Sequence, residues 1–203
     1  MSAVSDDEEP FALGSALGAE LAGLAGGEHA RLGMEADRKR RFKLKVEGWA
    51  SKRGLAVVDG AIVATLDDAK VTLALYEMTE ETAVVRATAP ASARLSISAE
   101  PVTQSWTSGL LGRFKKRSAP TGDAAFDAGF YVRTSDDAAL QQVFSDDVRA
   151  GLLAMDAWCS VTYADGRIEL RLDSPRLAGA HVRRAIEVVG AMARARVQTT
   201  AYR

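Results

Sequence analysis

Apolar residues recur at helical spacing toward both ends of this chain and alternate with polar ones through its middle. Leu13, Leu17, Leu21 and Leu24 lie three or four residues apart and predict a helical arm over 11–27. Gly26-Gly27 breaks that period. Residues 28–52 then predict a longer helix with Leu32, Ala36, Phe42, Val46 and Trp49 on one stripe, closed by Gly54. A change to period two follows. Strands are predicted at Leu55–Val58, Ala61–Leu66, Val71–Tyr76, Thr82–Thr88 and Leu95–Ser98, and Asp59-Gly60 marks a type I′ hairpin between the first two.

The second part repeats this alternation of patterns. Phe130–Thr134 predicts a strand. Ser135-Asp136-Asp137 and Ser145-Asp146-Asp147 each precede an apolar-periodic run and predict helix N-termini, where side-chain oxygens accept free backbone N–H groups. Trp158–Tyr163 and Arg167–Leu172 flank a second Asp-Gly turn at Asp165-Gly166. Pro175 opens a last helix over 176–197, with Ala178, Val182, Ile186, Val189 and Ala193 on its stripe. The expected class is α+β, with antiparallel sheet packed against the 28–52 and 176–197 helices and an N-terminal helical arm. The recurrence of a helix followed by an Asp-Gly hairpin is compatible with an internal duplication. The expected organisation is a disordered acidic tail at 1–10, the arm at 11–27, a first α+β half at 28–100, a basic and amphipathic loop at 101–121 and a second α+β half at 122–203.

Composition narrows the function classes. The chain has 203 residues, 47% hydrophobic, with 26 Lys+Arg against 27 Asp+Glu, which suits an ordinary soluble globular protein. A single cysteine, Cys159, rules out an internal disulfide and fits a reducing, cytoplasmic setting. The acidic start, Asp6 to Glu9, is the opposite of a secretory leader, and 11–27 is too weakly apolar to span a bilayer. Frequent alanine, and arginine in excess of lysine, point to a bacterial source. The near-zero net charge hides a strong alternation. Residues 31–53, 105–121 and 176–203 are basic, and the stretches around them are acidic.

The segment Gly122-Asp123-Ala124-Ala125-Phe126-Asp127-Ala128-Gly129-Phe130-Tyr131-Val132 resembles a G-D-x-x-F-D-x-x-F-x-V motif found in a family of bacterial proteins. The resemblance covers roughly residues 45–195 and implies no particular activity. The order of elements is also similar to that of small secretion-chaperone-type modules that bind other polypeptides. That similarity is topological only.

Chemistry-bearing patterns are sparse. His29 and His181 stand alone on predicted helices, and no G-x-S-x-G lifts a serine into position. The acidic pairs Asp67-Asp68, Asp136-Asp137 and Asp146-Asp147 read as turns and caps, and no calcium-loop spacing joins them. No phosphate-binding glycine motif is present. No catalytic, metal or cofactor site is therefore expected. The leading expectation is a non-enzymatic protein-interaction or assembly module, with Leu13, Leu17, Leu21 and Leu24 binding another protein or a second copy of the chain. One alternative is a peripheral binder of anionic surfaces through Trp106, Leu110, Leu111, Arg113, Phe114, Lys115, Lys116 and Arg117, whose apolar and cationic groups suit a membrane interface. The other alternative is an enzyme with an unfamiliar site. Nucleic acid is disfavoured, since no recognition motif accompanies the basic helices.

Overall fold

Period-two alternation gives each strand one apolar face, and pairing in register joins those faces into one surface. The computed structural model describes residues 28–89, 95–102, 118–155, 158–175 and 177–195. Within them the order is α1 (Glu28–Lys52), β1 (Ala56–Val58), β2 (Ala61–Leu66), β3 (Ala69–Ala74), a 3₁₀ turn (Leu75–Glu77), β4 (Thr82–Thr88), β5 (Ser96–Pro101), α2 (Ala124–Gly129), β6 (Phe130–Thr134), α3 (Asp137–Val143), α4 (Asp146–Leu153), β7 (Trp158–Ala164), β8 (Arg167–Asp173) and α5 (Gly179–Arg194). The class is α+β, as expected. The strands form a single antiparallel sheet in the order β1-β2-β3-β4-β8-β7-β5-β6.

The register sets Ile62, Leu73, Val85, Leu170, Val161, Ala99 and Val132 side by side across seven strands, and all are buried. The opposite face carries polar residues. There Arg86 bridges Glu77 at 2.5 Å and Glu169 at 2.8 Å. Both Asp-Gly hairpins turn as the sequence predicts. Asp59 and Gly60 have φ of 50° and 74°, and Asp165 and Gly166 have 51° and 73°.

α5 covers the apolar face over β2, β3, β4 and β8. Its close approach depends on glycines. A Cβ on Gly190 would stand 2.4 Å from Leu66 Cδ1, and one on Gly179 would stand 2.1 Å from Trp49 Nε1. The helix starts at Gly179, later than predicted, with Ala178 as N-cap. Ser174 and Leu177, on either side of Pro175, are tied elsewhere by backbone bonds. Ser174 N–H donates to Glu81 O at 2.7 Å, and Leu177 N–H donates to Glu80 O at 3.2 Å, with Leu177 fully buried.

α1 is only half used by the core. Phe42, Val46, Trp49 and Ala50 are buried, whereas residues 33–41 are exposed, including Ala36 from the predicted stripe. The N-terminal half of the helix thus runs beyond the sheet it covers. Its other end closes in a Schellman turn, with Gly54 at φ 68° and Leu55 N–H donating to Ala50 O at 3.0 Å.

Other boundaries shift for local reasons. β3 begins at Ala69 and stops at Ala74, before Leu75–Glu77 turns into the 3₁₀ segment, so Tyr76 leaves the sheet. β5 continues to Pro101 because β6 pairs along its length. Residues 124–129, read as a turn from sequence, form α2. Asp123 caps it by accepting from Ala125 and Phe126 N–H at 3.0 and 3.1 Å. Phe126 stacks on Phe130 with ring centres 4.6 Å apart, and it meets Phe144 edge-on. Asp136 caps α3 through Ala138 and Ala139 N–H, but the side chain of Ser145 does not cap α4. Arg149 secures that region instead. Its buried guanidinium donates to Phe144 O and Asp146, and its Nε lies 3.7 Å from Asp123 Oδ2.

Replacing Gly179 by alanine should cost about 1–3 kcal/mol, since the rigid indole of Trp49 must move. Gly129→Ala, whose Cβ would meet only Leu153 Cδ2 at 3.5 Å, should cost clearly less. Urea denaturation of both variants checks the difference, and equal losses would exclude packing against Trp49 as the cause.

Candidate functional site

The side chains with the most chemical potential are occupied with structure. His181 Nδ1 accepts from Ala178 N–H at 3.1 Å at the start of α5. Asp127 accepts from the backbone N–H and hydroxyl of Thr121 at 2.9 and 2.7 Å, while Asp123 and Asp136 cap helices. The G-D-x-x-F-D-x-x-F-x-V segment therefore has a structural account in its caps and its stacked phenylalanines. Cys159 is buried on β7, and loss of hydration raises its thiol to about 12, far from a nucleophile's range. Among the described residues no group of three His, Cys, Asp or Glu is placed to hold a metal, and no helix is long and apolar enough to cross a membrane.

The concave feature that remains lies where α1 overhangs the sheet. A groove of about 920 Å³ opens between its exposed half and residues 75–81. Phe42, Leu75 and Met78 line it and are 5–7% exposed. Tyr76 stands at the lip, 80% exposed. Lys39, Arg40 and Lys43 line the helical side, and Glu80 and Glu81 the opposite side.

Both walls are braced. The 75–81 wall is tied down by Leu75 N–H to Gly60 O at 2.9 Å, Thr79 N–H to Thr82 O at 2.9 Å, and the bonds from Ser174 and Leu177. Thr79 Oγ1 also accepts from Glu81 and Thr82 N–H. The helix is held across the gap by a bidentate pair. Arg38 Nε and Nη2 donate to Glu80 Oε1 and Oε2 at 2.9 and 2.7 Å. The same bond raises the Arg38 guanidinium above its ordinary value. Lys39 pairs with Glu35 at 2.7 Å and Lys43 with Glu47 at 3.8 Å. Arg40, on the rim of the groove, makes no ion pair among the described residues.

The residues singled out from sequence fall elsewhere. Leu13, Leu17, Leu21 and Leu24 lie outside the described residues, as do Trp106, Leu110, Leu111, Arg113, Phe114, Lys115, Lys116 and Arg117. The latter segment joins the fold at flanks held to the β6 region. Val102 N–H donates to Gly129 O at 2.8 Å, and Ala119 N–H donates to Val132 O at 2.9 Å. Of the groove residues, Phe42 carried a sequence signal in the α1 stripe, Leu75 in the apolar alternation of the 71–76 strand, and Arg38, Lys39, Arg40 and Lys43 in the basic block of the helix. Tyr76 was read as a strand residue, and Met78 and Glu80 had none, because the Arg38–Glu80 contact spans 42 positions.

Comparison with known proteins adds little. No family model matches the chain, and no curated protein sequence matches it. Among solved structures, the crystal structure of the mycobacterial trehalose monomycolate transport factor A, TtfA, aligns with a TM-score of 0.45 and 8% sequence identity, covering 71% of this chain and 88% of that chain. A likeness at that level assigns neither family nor activity.

Native Cys159 should resist a thiol reagent near neutral pH and react fully once the chain is unfolded in guanidinium, because access and thiolate formation both require opening of the core. Absorbance at the released thiol chromophore measures this, and prompt reaction of the native chain would contradict the burial.

Proposed function

We propose that this chain is a non-enzymatic protein-interaction module that docks an amphipathic polypeptide segment in the groove between α1 and residues 75–81. The single observation that carries this reading is the combination at that groove of a buried apolar floor, an exposed tyrosine and an arginine that makes no ion pair among the described residues. A helix that lays leucines against the exposed ring of Tyr76 and over the groove floor removes apolar surface from water. Acidic residues beside those leucines answer Arg40 and the neighbouring lysines, which favours encounter and orientation more than raw affinity. Tyrosine and arginine are also the residue types that dominate binding energy at protein interfaces. The capping and burial of the histidine, the aspartates and the cysteine described above support the non-enzymatic part of the reading.

A synthetic peptide with the sequence of residues 5–27 has the required chemistry, four leucines at helical spacing behind an acidic run. It should bind the full chain. Adding Arg40→Glu and Tyr76→Ser should weaken binding about tenfold or more and leave the melting temperature unchanged, since both residues are exposed. Calorimetric titration reads the affinity. Absence of binding, or binding indifferent to the two substitutions, would overturn the proposal.

A further inference from the structure

We infer that the groove takes α4 of a second copy of this chain, in a head-to-tail contact that joins copy to copy. The inference rests on the reading of the groove as a docking site for an amphipathic segment, and it names the occupant. α4 has the face such a site requires. Val148, Arg149 and Leu152 are buried, which leaves Asp146, Asp147, Ala150, Leu153 and Ala154 exposed at spacings of three and four residues. Leu153 is 41% exposed, near the end of a helix whose first turn is acidic. This contact cannot form within one chain, because α5 stands between the two elements. A Cβ on its Gly179 would stand 2.1 Å from Trp49 of α1, and one on Gly151 of α4 would stand 2.5 Å from Val188 of α5. Two helix spacings of about 8–10 Å each thus separate α4 from α1.

Charge complementarity selects this occupant. α1 carries eight Lys+Arg against four Asp+Glu, whereas residues 122–155, which hold α2, α3 and α4, carry six aspartates and two arginines, with no lysine or glutamate. One of those arginines, Arg149, is buried and paired with Asp146. Asp147 makes no ion pair among the described residues, and neither does Arg40 on the α1 wall of the groove. The far wall has the opposite sign, since Arg38 holds Glu80 and Glu81 remains beside it. α4 is polarised to match. Set across the groove with Asp147 at Arg40, it brings Leu153, six residues and about 9 Å further along the helix, to Tyr76 on the far wall. Arg184, exposed and bonded to Ala154 O at the end of α4, then meets Glu81. The reverse orientation sets carboxylates against Glu81 and a guanidinium against the α1 cations, so charge fixes direction as well as partner. Because the two surfaces differ, each copy offers its groove to one neighbour and its α4 to the next, and the contact propagates as a chain or closes as a ring.

The test mixes two full-length variants, Tyr76→Cys and Leu153→Cys, under mild oxidation and follows them on non-reducing gels over a dilution series. Cys159 is buried and does not interfere. The expected product is a disulfide-linked dimer that forms faster in the mixture than in either variant alone. One chain carrying both substitutions should give a ladder of linked copies, because each head-to-tail dimer keeps one free groove and one free α4. Tyr76→Cys mixed with Trp158→Cys, on the other face of the sheet, should give none. Absence of the mixed dimer, or equal crosslinking through Trp158→Cys, overturns the inference. Analytical ultracentrifugation supplies the second arm. Arg40→Glu and Asp147→Arg should each weaken self-association at least about tenfold, and an equimolar mixture of the two should recover it, since alternating copies then pair opposite charges at every contact. Substitutions without effect, loss without recovery, or an unaltered chain that stays monomeric at every concentration overturn it as well. If the 5–27 peptide still binds that monomer the docking reading stands, and if it does not the docking reading falls too.

Discussion

The registration of seven strands that brings Ile62, Leu73, Val85, Leu170, Val161, Ala99 and Val132 into one row is the constraint on which the rest of this fold depends. Side chains alternate along a strand, so a slip of one residue at any pairing would send part of that row to the polar face. It would also draw Arg86 or Glu169 toward the core, away from the ion pairs they make on the solvent side. Burial of one face and solvation of the other therefore select the same register twice. α5 can lie flat on the sheet because that face is continuous, with Gly190 permitting close contact with Leu66 of β2 and Gly179 with Trp49 of α1.

The groove is a by-product of unequal lengths. α1 has 25 residues, but the core covers only its second half. The surplus overhangs the 75–81 turn, and the floor forms where Phe42, next to the exposed stretch 33–41, meets Leu75 and Met78. Exposed ion pairs such as Arg38–Glu80 contribute little to stability. Their bidentate geometry matters here because it fixes the direction of the overhanging helix against a wall that is itself anchored to Gly60, Ser174 and Leu177. The two sides are thus held at a set spacing, and the cleft between them is preformed.

Much of the fold was legible from local pattern. The alternation in Ala61–Leu66 and Arg167–Leu172, the two Asp-Gly turns, the Gly54 stop and the Asp136 cap each act over a few residues, and each stands where the sequence places it. Features set by distant partners were not legible. Pro175 has the composition of a helix start, yet Ser174 and Leu177 bond to residues 80 and 81 and delay the helix to Gly179. Tyr76 continues the alternation of its strand, but Leu75 bonds to Gly60 and the chain turns away. Ala36 has helical spacing with Phe42, but no sheet lies beneath it. The groove belongs to this second group, since its walls come from segments that approach only after the sheet has formed.

β8 lies between β4 and β7, so a strand drawn from the last fifth of the sequence occupies the middle of the sheet. During synthesis, β1 to β4 and β5 to β7 emerge from the ribosome as two separate ribbons, each with an open hydrogen-bonding edge facing a gap. Only residues 167–173 can fill that gap, pairing on both sides at once. Such long-range closure is slow relative to local helix and hairpin formation. The β4 edge, complete at residue 88, thus stays unpaired until residues 167–173 have been made, the interval in which a holding chaperone would be of most use to the nascent protein.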